Sequence, residues 1–306
     1  MRTAFIQALT ELAGRDPRIW LLTGDLGFSV LERFAERFPD RFLNAGVAEQ
    51  NMTGIATGLA MSGKVVFTYS IANFPTLRCL EQIRNDVCYH RANVKIVAVG
   101  GGFAYGSQGY THHGIEDLAV LRALPEMVVM APGDPVEADL ATRAAAAWGG
   151  PCYIRLGKAG EPIVHTAPPA FQIGKAILVR DGSDVTLIST GGMLKETVGL
   201  ADKLAADGVR AAVLSMHTLK PIDAEAIARA ARETRGIVTL EEHTVVGGLG
   251  SAVAEVLAAM PEARVPFRTI AAADAVRHIG GSQAFFRQAM GDAAAIVRSI
   301  LQEPRP

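Results

Sequence analysis

Apolar positions in the first half of the chain switch repeatedly between two periods. Residues 3–13 space Phe5, Ile6, Leu9 and Ala13 around one helical face, and the run RIWLLT at 18–23 is a short buried strand that ends at Gly24-Asp25. The same alternation predicts a helix at 30–37, a strand at 41–43, a helix around Glu49 and a strand at 65–69. A helix over 76–89 and a strand, VKIVAV, at 94–99 follow. Next come a glycine-rich loop at 100–109, a strand at 127–131, a helix at 135–147 and a strand at 152–155. Strands that are apolar throughout and separated by helices predict a parallel sheet covered on both faces.

Residues 160–172, GEPIVHTAPPAFQ, carry three prolines and no period, and read as connecting chain. A second α/β unit follows, with strands at 184–190, 210–215 and 236–241 and helices at 193–207, 223–234, 250–260 and 283–301. The prediction is an α/β protein of two domains, each a mostly parallel sheet covered by helices on both faces. Its boundaries are 1–165 and 173–306, with a linker at 166–172.

Composition supports this and removes some function classes. A chain of 306 residues with 49% hydrophobic content can fill two cores. A net charge of −1 with both signs interspersed points to neither a nucleic-acid nor a membrane-surface partner. Cys79, Cys88 and Cys152 have neither paired nor metal-ligand spacing and read as reduced thiols. No apolar run reaches the length of a membrane span, and an acid and a proline fall early in the chain, unlike a signal peptide. A cytoplasmic location is therefore expected.

In open α/β sheets, ligands collect beyond the carboxyl ends of the strands. Asp25 follows the first strand, Tyr69 and Ser70 end the third, and the loop GGGFAYGSQGYTHH at 100–113 follows the fourth. Its glycines permit close approach of backbone to a ligand. A binding loop ending in His112-His113 and a mobile surface loop with two solvated histidines both fit, and no third side chain stands at metal-ligand spacing. The stretch NAGVAEQNMTGIATGLAM at 44–61 places one acid, Glu49, in the first turn of a helix of small residues. Gly54 and Gly58, four apart, suggest a helix packed closely on all sides. An acid in that turn either complements the helix dipole or serves as a buried acid–base group. Arg155 and Lys158 suit an anionic group or a solvated pair alike, and Arg78 and Arg84 read as helix contacts. Glycine turns at 190–192 and 247–250 precede helices without the dinucleotide fingerprint and read as tight strand-to-helix turns.

Taken in order, LLTGDL at 21–26, NAGVAEQNMTGIATGLA at 44–60, YSIANFPTLRCLEQIRND at 69–86, the histidine loop continuing to 138, and YIRLGK at 153–158 resemble the pyrimidine-binding domain of transketolases and 1-deoxyxylulose-5-phosphate synthases. ISTGGM, HTLKPID and EEHTVVGGLGSAVAE resemble the transketolase C-terminal domain. The resemblance covers nearly the whole chain. It implies dependence on thiamine diphosphate, with Mg2+ or another divalent metal held mainly by a partner chain that carries the diphosphate-binding domain. This chain would then be the C-terminal subunit of a split transketolase. It would self-associate through its pyrimidine-binding domain in a heterotetramer with an N-terminal subunit.

The resemblance also assigns roles. Glu49 matches the catalytic glutamate that shares a proton with the cofactor's pyrimidine ring. Phe74 and Ile71 match side chains that stack on that ring; where the family often has a second aromatic, Ile71 leaves the ring to be held more loosely or by Tyr69. Asp25 matches a cofactor-side acid near the subunit interface. His112 matches a histidine that hydrogen-bonds the donor, with His113 beside it in the same pocket. Gln108 stands where sugar-using transketolases carry an acid, and Gly100 near their phosphate-binding basic side chain, so an ordinary ketose phosphate is not the expected donor. Arg155 and Lys158 remain candidates for an anionic substrate group. The expected activity is transfer of a two-carbon unit to an aldehyde. A 2-oxo-acid dehydrogenase β subunit and a non-catalytic scaffold are the rivals.

Overall fold

The computed structural model describes residues 1–260, 265–276 and 279–303. The strands are β1 (Ile19–Thr23), β2 (Phe42–Asn44), β3 (Val65–Ile71), β4 (Val94–Val99), β5 (Val128–Met130), β6 (Cys152–Leu156), β7 (Ile177–Arg180), β8 (Val185–Ser189), β9 (Ala211–Ser215), β10 (Thr218–Lys220), β11 (Ile237–Thr244) and β12 (Phe267–Ala272). The helices are α1 (Arg2–Arg15), α2 (Glu32–Arg37), α3 (Glu49–Met61), α4 (Leu80–Gln82), α5 (Asp117–Arg122), α6 (Pro135–Ala147), α7 (Leu194–Ala206), α8 (Ala224–Glu233), α9 (Leu249–Ala258), α10 (Gln283–Gln288) and α11 (Ala293–Gln302).

Among the described residues these strands form a seven-stranded sheet, ordered β10-β5-β6-β4-β3-β1-β2, and a five-stranded sheet, ordered β12-β11-β8-β9-β7. Every pairing is parallel except β10 with β5 and β7 with β9. Central strands such as β4 and β6 are buried at every position, Lys95 and Arg155 included, and read as largely apolar runs. Alternate residues feed opposite layers. Leu22, Val66 and Ile96 pack with Met52 and Ala56 of α3 on one face, while Leu21, Phe67 and Val97 pack with Phe5 and Leu9 of α1 on the other.

The expected two-domain α/β architecture is present, with one crossing. β10 comes from the second half of the chain yet completes the edge of the first sheet, pairing antiparallel with β5. The connecting segment is also packed down. Asp134 caps α6 through Glu137 N at 2.8 Å, and its other oxygen accepts from Val164 N at 2.8 Å and His165 N at 3.0 Å. Phe171 stacks on the buried His217 ring, centroids 3.9 Å apart, and this burial lowers the His217 pKa to about 4.

Several local expectations need correction. The helix expected over 76–89 starts later, at Leu80. The chain turns until α4 and then widens into a π-helix over Ile83–Cys88. The single helix expected over 283–301 is α10 and α11, broken at Gly291 (φ 109°), with Asp292 capping the second through Ala294 N and Ala295 N. β11 extends past residue 241 to Thr244, and α5, β7, β10 and β12 were not anticipated. α3 is not enclosed on all sides. Met52, Thr53, Ala56 and Thr57 are buried, whereas Gly54 and Gly58 face open space. The second domain's expected end includes residues 304–306, which lie outside the described residues.

His165 Nε2 lies 2.7 Å from Glu137 Oε1, and this hydrogen bond raises the imidazole pKa above its ordinary 6.5. A raised folded-state value means that the pair stabilises the fold fully below about pH 6.5, and that this contribution fades as pH rises through the folded value. The stability difference between wild type and His165→Gln, from urea unfolding, is expected to be largest at or below pH 6 and to shrink towards pH 8.

Candidate active site

β1 and β3 run side by side with Thr23 beside Tyr69, so their carboxyl ends open at the same place. α3 begins against both. Its first residue, Glu49, is only 1% exposed. One carboxylate oxygen accepts from Ser70 Oγ at 3.3 Å, and the other accepts from Arg78 Nη1 at 2.7 Å. Gly24, just past β1, sits so close that a Cβ there would lie 3.3 Å from Glu49 Cγ. Asn44 fixes the approach to the helix. Its Oδ1 accepts from Asp25 N at 2.9 Å and Gly46 N at 3.0 Å, and its Nδ2 donates to Asp25 Oδ1 at 3.0 Å. Asp25 is thereby held, exposed, at the mouth of the same crevice.

The turn after β3 supplies the aromatic floor. Phe74 N donates to Ile71 O at 2.8 Å, and the half-buried Phe74 ring carries the Arg78 guanidinium 4.8 Å above its centroid. His112 meets Phe74 edge-on, with centroids 5.4 Å apart at 77°. Asn73 stitches this turn to the histidine loop, donating to His113 O at 2.6 Å and to Thr111 O at 3.2 Å. Beyond His112 stands Tyr105, with ring centroids 6.4 Å apart, and Lys158 Nζ lies 4.9 Å over the Tyr105 ring. Glu49, Arg78, Phe74, His112, Tyr105 and Lys158 thus form one continuous path along the carboxyl ends of the first sheet. Gln108 is exposed in the loop above, whereas Ile71, half-buried and on the same strand face as Tyr69, packs against the α1-side cluster instead of the path.

Tyr69, His113 and Arg155 also face elsewhere. Tyr69 points to the α1 side of the sheet, since neighbouring strand positions alternate, and stacks on Phe5 with centroids 5.9 Å apart. His113 is fully buried, its ring set edge-on to Phe103 and Phe286 at 5.2 and 4.8 Å, with Nε2 3.3 Å from Gly106 O. It anchors the loop that presents His112. Arg155 is 5% exposed, pairs with Asp117 at 3.1 Å and donates to Gly114 O and to Glu242 O in the second domain. Its guanidinium is spent on the fold, and Gly101 is needed because any Cβ there would strike it. Arg78, read from sequence as a helix contact, is instead Glu49's charge partner. Its only sequence signal is a basic residue four positions after the aromatic at 74.

A second cavity, of about 180 Å³, lies between the domains and is lined by Lys158, Glu161, Lys195, Glu242 and Arg287. Arg287 pairs there with Glu242 at 2.5 Å and also with Glu196. Among the described residues no group of three His, Cys, Asp or Glu could hold a metal ion, and no helix is long and apolar enough to cross a membrane.

A buried acid and an aromatic at the carboxyl edge of a parallel sheet, with a second α/β domain behind, define a class: two-domain α/β chains with a polar crevice at the carboxyl edge of the first sheet. The family models agree. "Transketolase, pyrimidine binding domain" matches residues 1–160 and "Transketolase, C-terminal domain" matches 174–296. The chain belongs to the transketolase family, and that membership implies dependence on thiamine diphosphate. It is 41% identical over 261 residues to a putative transketolase C-terminal section of Methanocaldococcus jannaschii, covering 84% of this chain and 82% of that one. It is 39% identical to one subunit of the apulose-4-phosphate transketolase of Phocaeicola vulgatus, covering 98% and 96%. A solved split-gene transketolase, described as an inactive β4 tetramer, superposes with a TM-score of 0.87 at 39% identity over 98% and 97% of the two chains.

Asn73→Ala removes two donated hydrogen bonds between the Phe74 turn and the histidine loop, a loss of about 1–2 kcal/mol of loop anchoring. Faster amide exchange across 109–114, with the core strands unchanged, is the expected result. Unchanged protection would show that the loop is held by other contacts.

Proposed function

We propose that this chain is the C-terminal subunit of a split transketolase that moves a two-carbon unit from a ketone or 2-oxo acid donor to an aldehyde, in the cytoplasm, together with a subunit carrying the diphosphate-binding domain. The observation that carries the reading is the joint placement of Glu49, Phe74 and His112 on one face of the first sheet. Relatives described as a C-terminal section and as one subunit of a transketolase match along most of their own length, which supports a partner chain. Mg2+ or a similar divalent ion would be bound mainly by that partner. The tetrameric neighbour and the open Gly54–Gly58 stripe on α3, where backbones can approach closely, support self-association through the first domain and hence a heterotetramer.

The residues fit the pyrimidine end of the cofactor. A buried carboxylate, a half-buried aromatic face beside it, and a glycine that leaves room at Gly24 together match a flat, nitrogen-bearing ring. When bound, thiamine diphosphate supplies the electron sink for carbon–carbon cleavage. Glu49 would share a proton with the ring nitrogen that reaches it, Ser70 would keep its other oxygen satisfied, and Phe74 would hold the ring flat. Asp25 would border the ring. His112 would donate to, or accept from, the substrate oxygens, while His113 holds its loop. Tyr105 and Lys158 would face an anionic end of the substrate, with Gln108 above it. The Glu49→Gln subunit, reconstituted with its partner, is expected to lose about 10²–10⁴-fold in transfer rate while retaining assembly by sedimentation. The chain supplied alone with cofactor and Mg2+ is expected to transfer nothing; appreciable activity would overturn the split-site reading.

A further inference from the structure

Arg78 makes, with one flat group, both contacts that the proposed ring requires. Its Nη1 donates to the outer oxygen of Glu49 at 2.7 Å, and its guanidinium lies 4.8 Å over the Phe74 ring. A guanidinium is planar, stacks on aromatic faces and presents N–H donors in its own plane. An aminopyrimidine sharing a proton with Glu49 while stacked on Phe74 has the same three properties. The remaining surroundings of Glu49 are fixed: Ser70 belongs to β3 and Gly24 to the end of β1. Arg78 differs from them in being a long side chain, 45% exposed, with an open route to solvent.

We infer that Arg78 is a built-in occupant of the pyrimidine seat, an autoinhibitory contact that must swing outward before the cofactor ring can reach Glu49. The two arrangements exclude each other, because the outer oxygen of Glu49 and the upper face of Phe74 cannot both be shared. Apparent affinity for the cofactor is then reduced by the fraction of molecules in which Arg78 is turned in. This inference rests on the function proposed above.

The test is thiamine diphosphate binding with Mg2+ to the reconstituted pair, measured by titration calorimetry and stopped-flow, for wild type, Arg78→Ala and Arg78→Met. The methionine variant keeps an unbranched side chain over Phe74 and serves where the alanine variant is poorly folded. Binding about tenfold tighter and faster in a variant than in wild type is expected, as follows from removing a charge-assisted contact that is partly open to solvent. Equal or weaker binding by a folded variant, with wild type binding normally, overturns the inference and leaves the function reading intact. No binding by wild type or variants overturns the function reading itself.

Discussion

A carboxylate that is 1% exposed needs partners, and at Glu49 this requirement organises the end of the first sheet. Water is excluded by α3 on one side and by the β1–β3 edge on the other. The hydroxyl of Ser70 and the guanidinium of Arg78 therefore have to converge there, 21 and 29 positions further along the chain. Ser70 can do so only because β3 alternates, turning Ser70 towards α3 and Tyr69 towards α1. Arg78 can do so only because the chain turns at Phe74–Pro75 instead of continuing into a straight helix. The same turn exposes the face of Phe74 and brings Asn73 to the histidine loop. The position of His112 is thus a consequence of how the charge on Glu49 is accommodated.

The second domain holds the far side of this arrangement. β10 closes one edge of the first sheet, and Arg155 ties Gly114 of the histidine loop to the carbonyl of Glu242 on β11. Below them the α9 start is sealed by Glu241, whose carboxylate accepts from Leu249 N and Gly250 N while burial pushes its pKa to about 7. These polar groups are buried between the layers: Arg155 Nη2 donates across to Glu242 O, and both Glu241 oxygens are satisfied by the adjoining turn. Shear between the domains would break several hydrogen bonds at once. The histidine loop is consequently presented by two domains acting as one support.

Patterns carried by local residues were legible in the sequence, and those made by distant neighbours were not. β1, β3, β4, β6, β8 and β9 are largely apolar, and the expected strands match them within a residue or two. β10 is three residues long and is a strand only because β5 lies beside it, so no period could reveal it. The edge strand β7 has a mixed face for the same reason. Gly54 and Gly58 suggested close packing, yet a small-residue stripe carries no sign of which side of the helix is covered. Glu49 and His112 were visible as motif residues. The burial of His113 and Arg155, and the reach of Arg78, depend on Phe286, Glu242 and Glu49, residues 173, 87 and 29 positions away in the chain.

The character of Glu49 is set by what faces its outer oxygen. A guanidinium offers that oxygen N–H donors only. In the function proposed above, a ring nitrogen of modest basicity in the same enclosed position would share a proton with it and make the group an acid–base partner. Exchanging one flat neighbour for the other needs no movement of α3, Ser70 or Gly24, only rotation about the side-chain bonds of Arg78. Such rotations in a half-exposed residue are fast relative to backbone rearrangement. On that proposal, the chemistry of the buried acid would be switched at its rim while the sheet that positions it stays fixed.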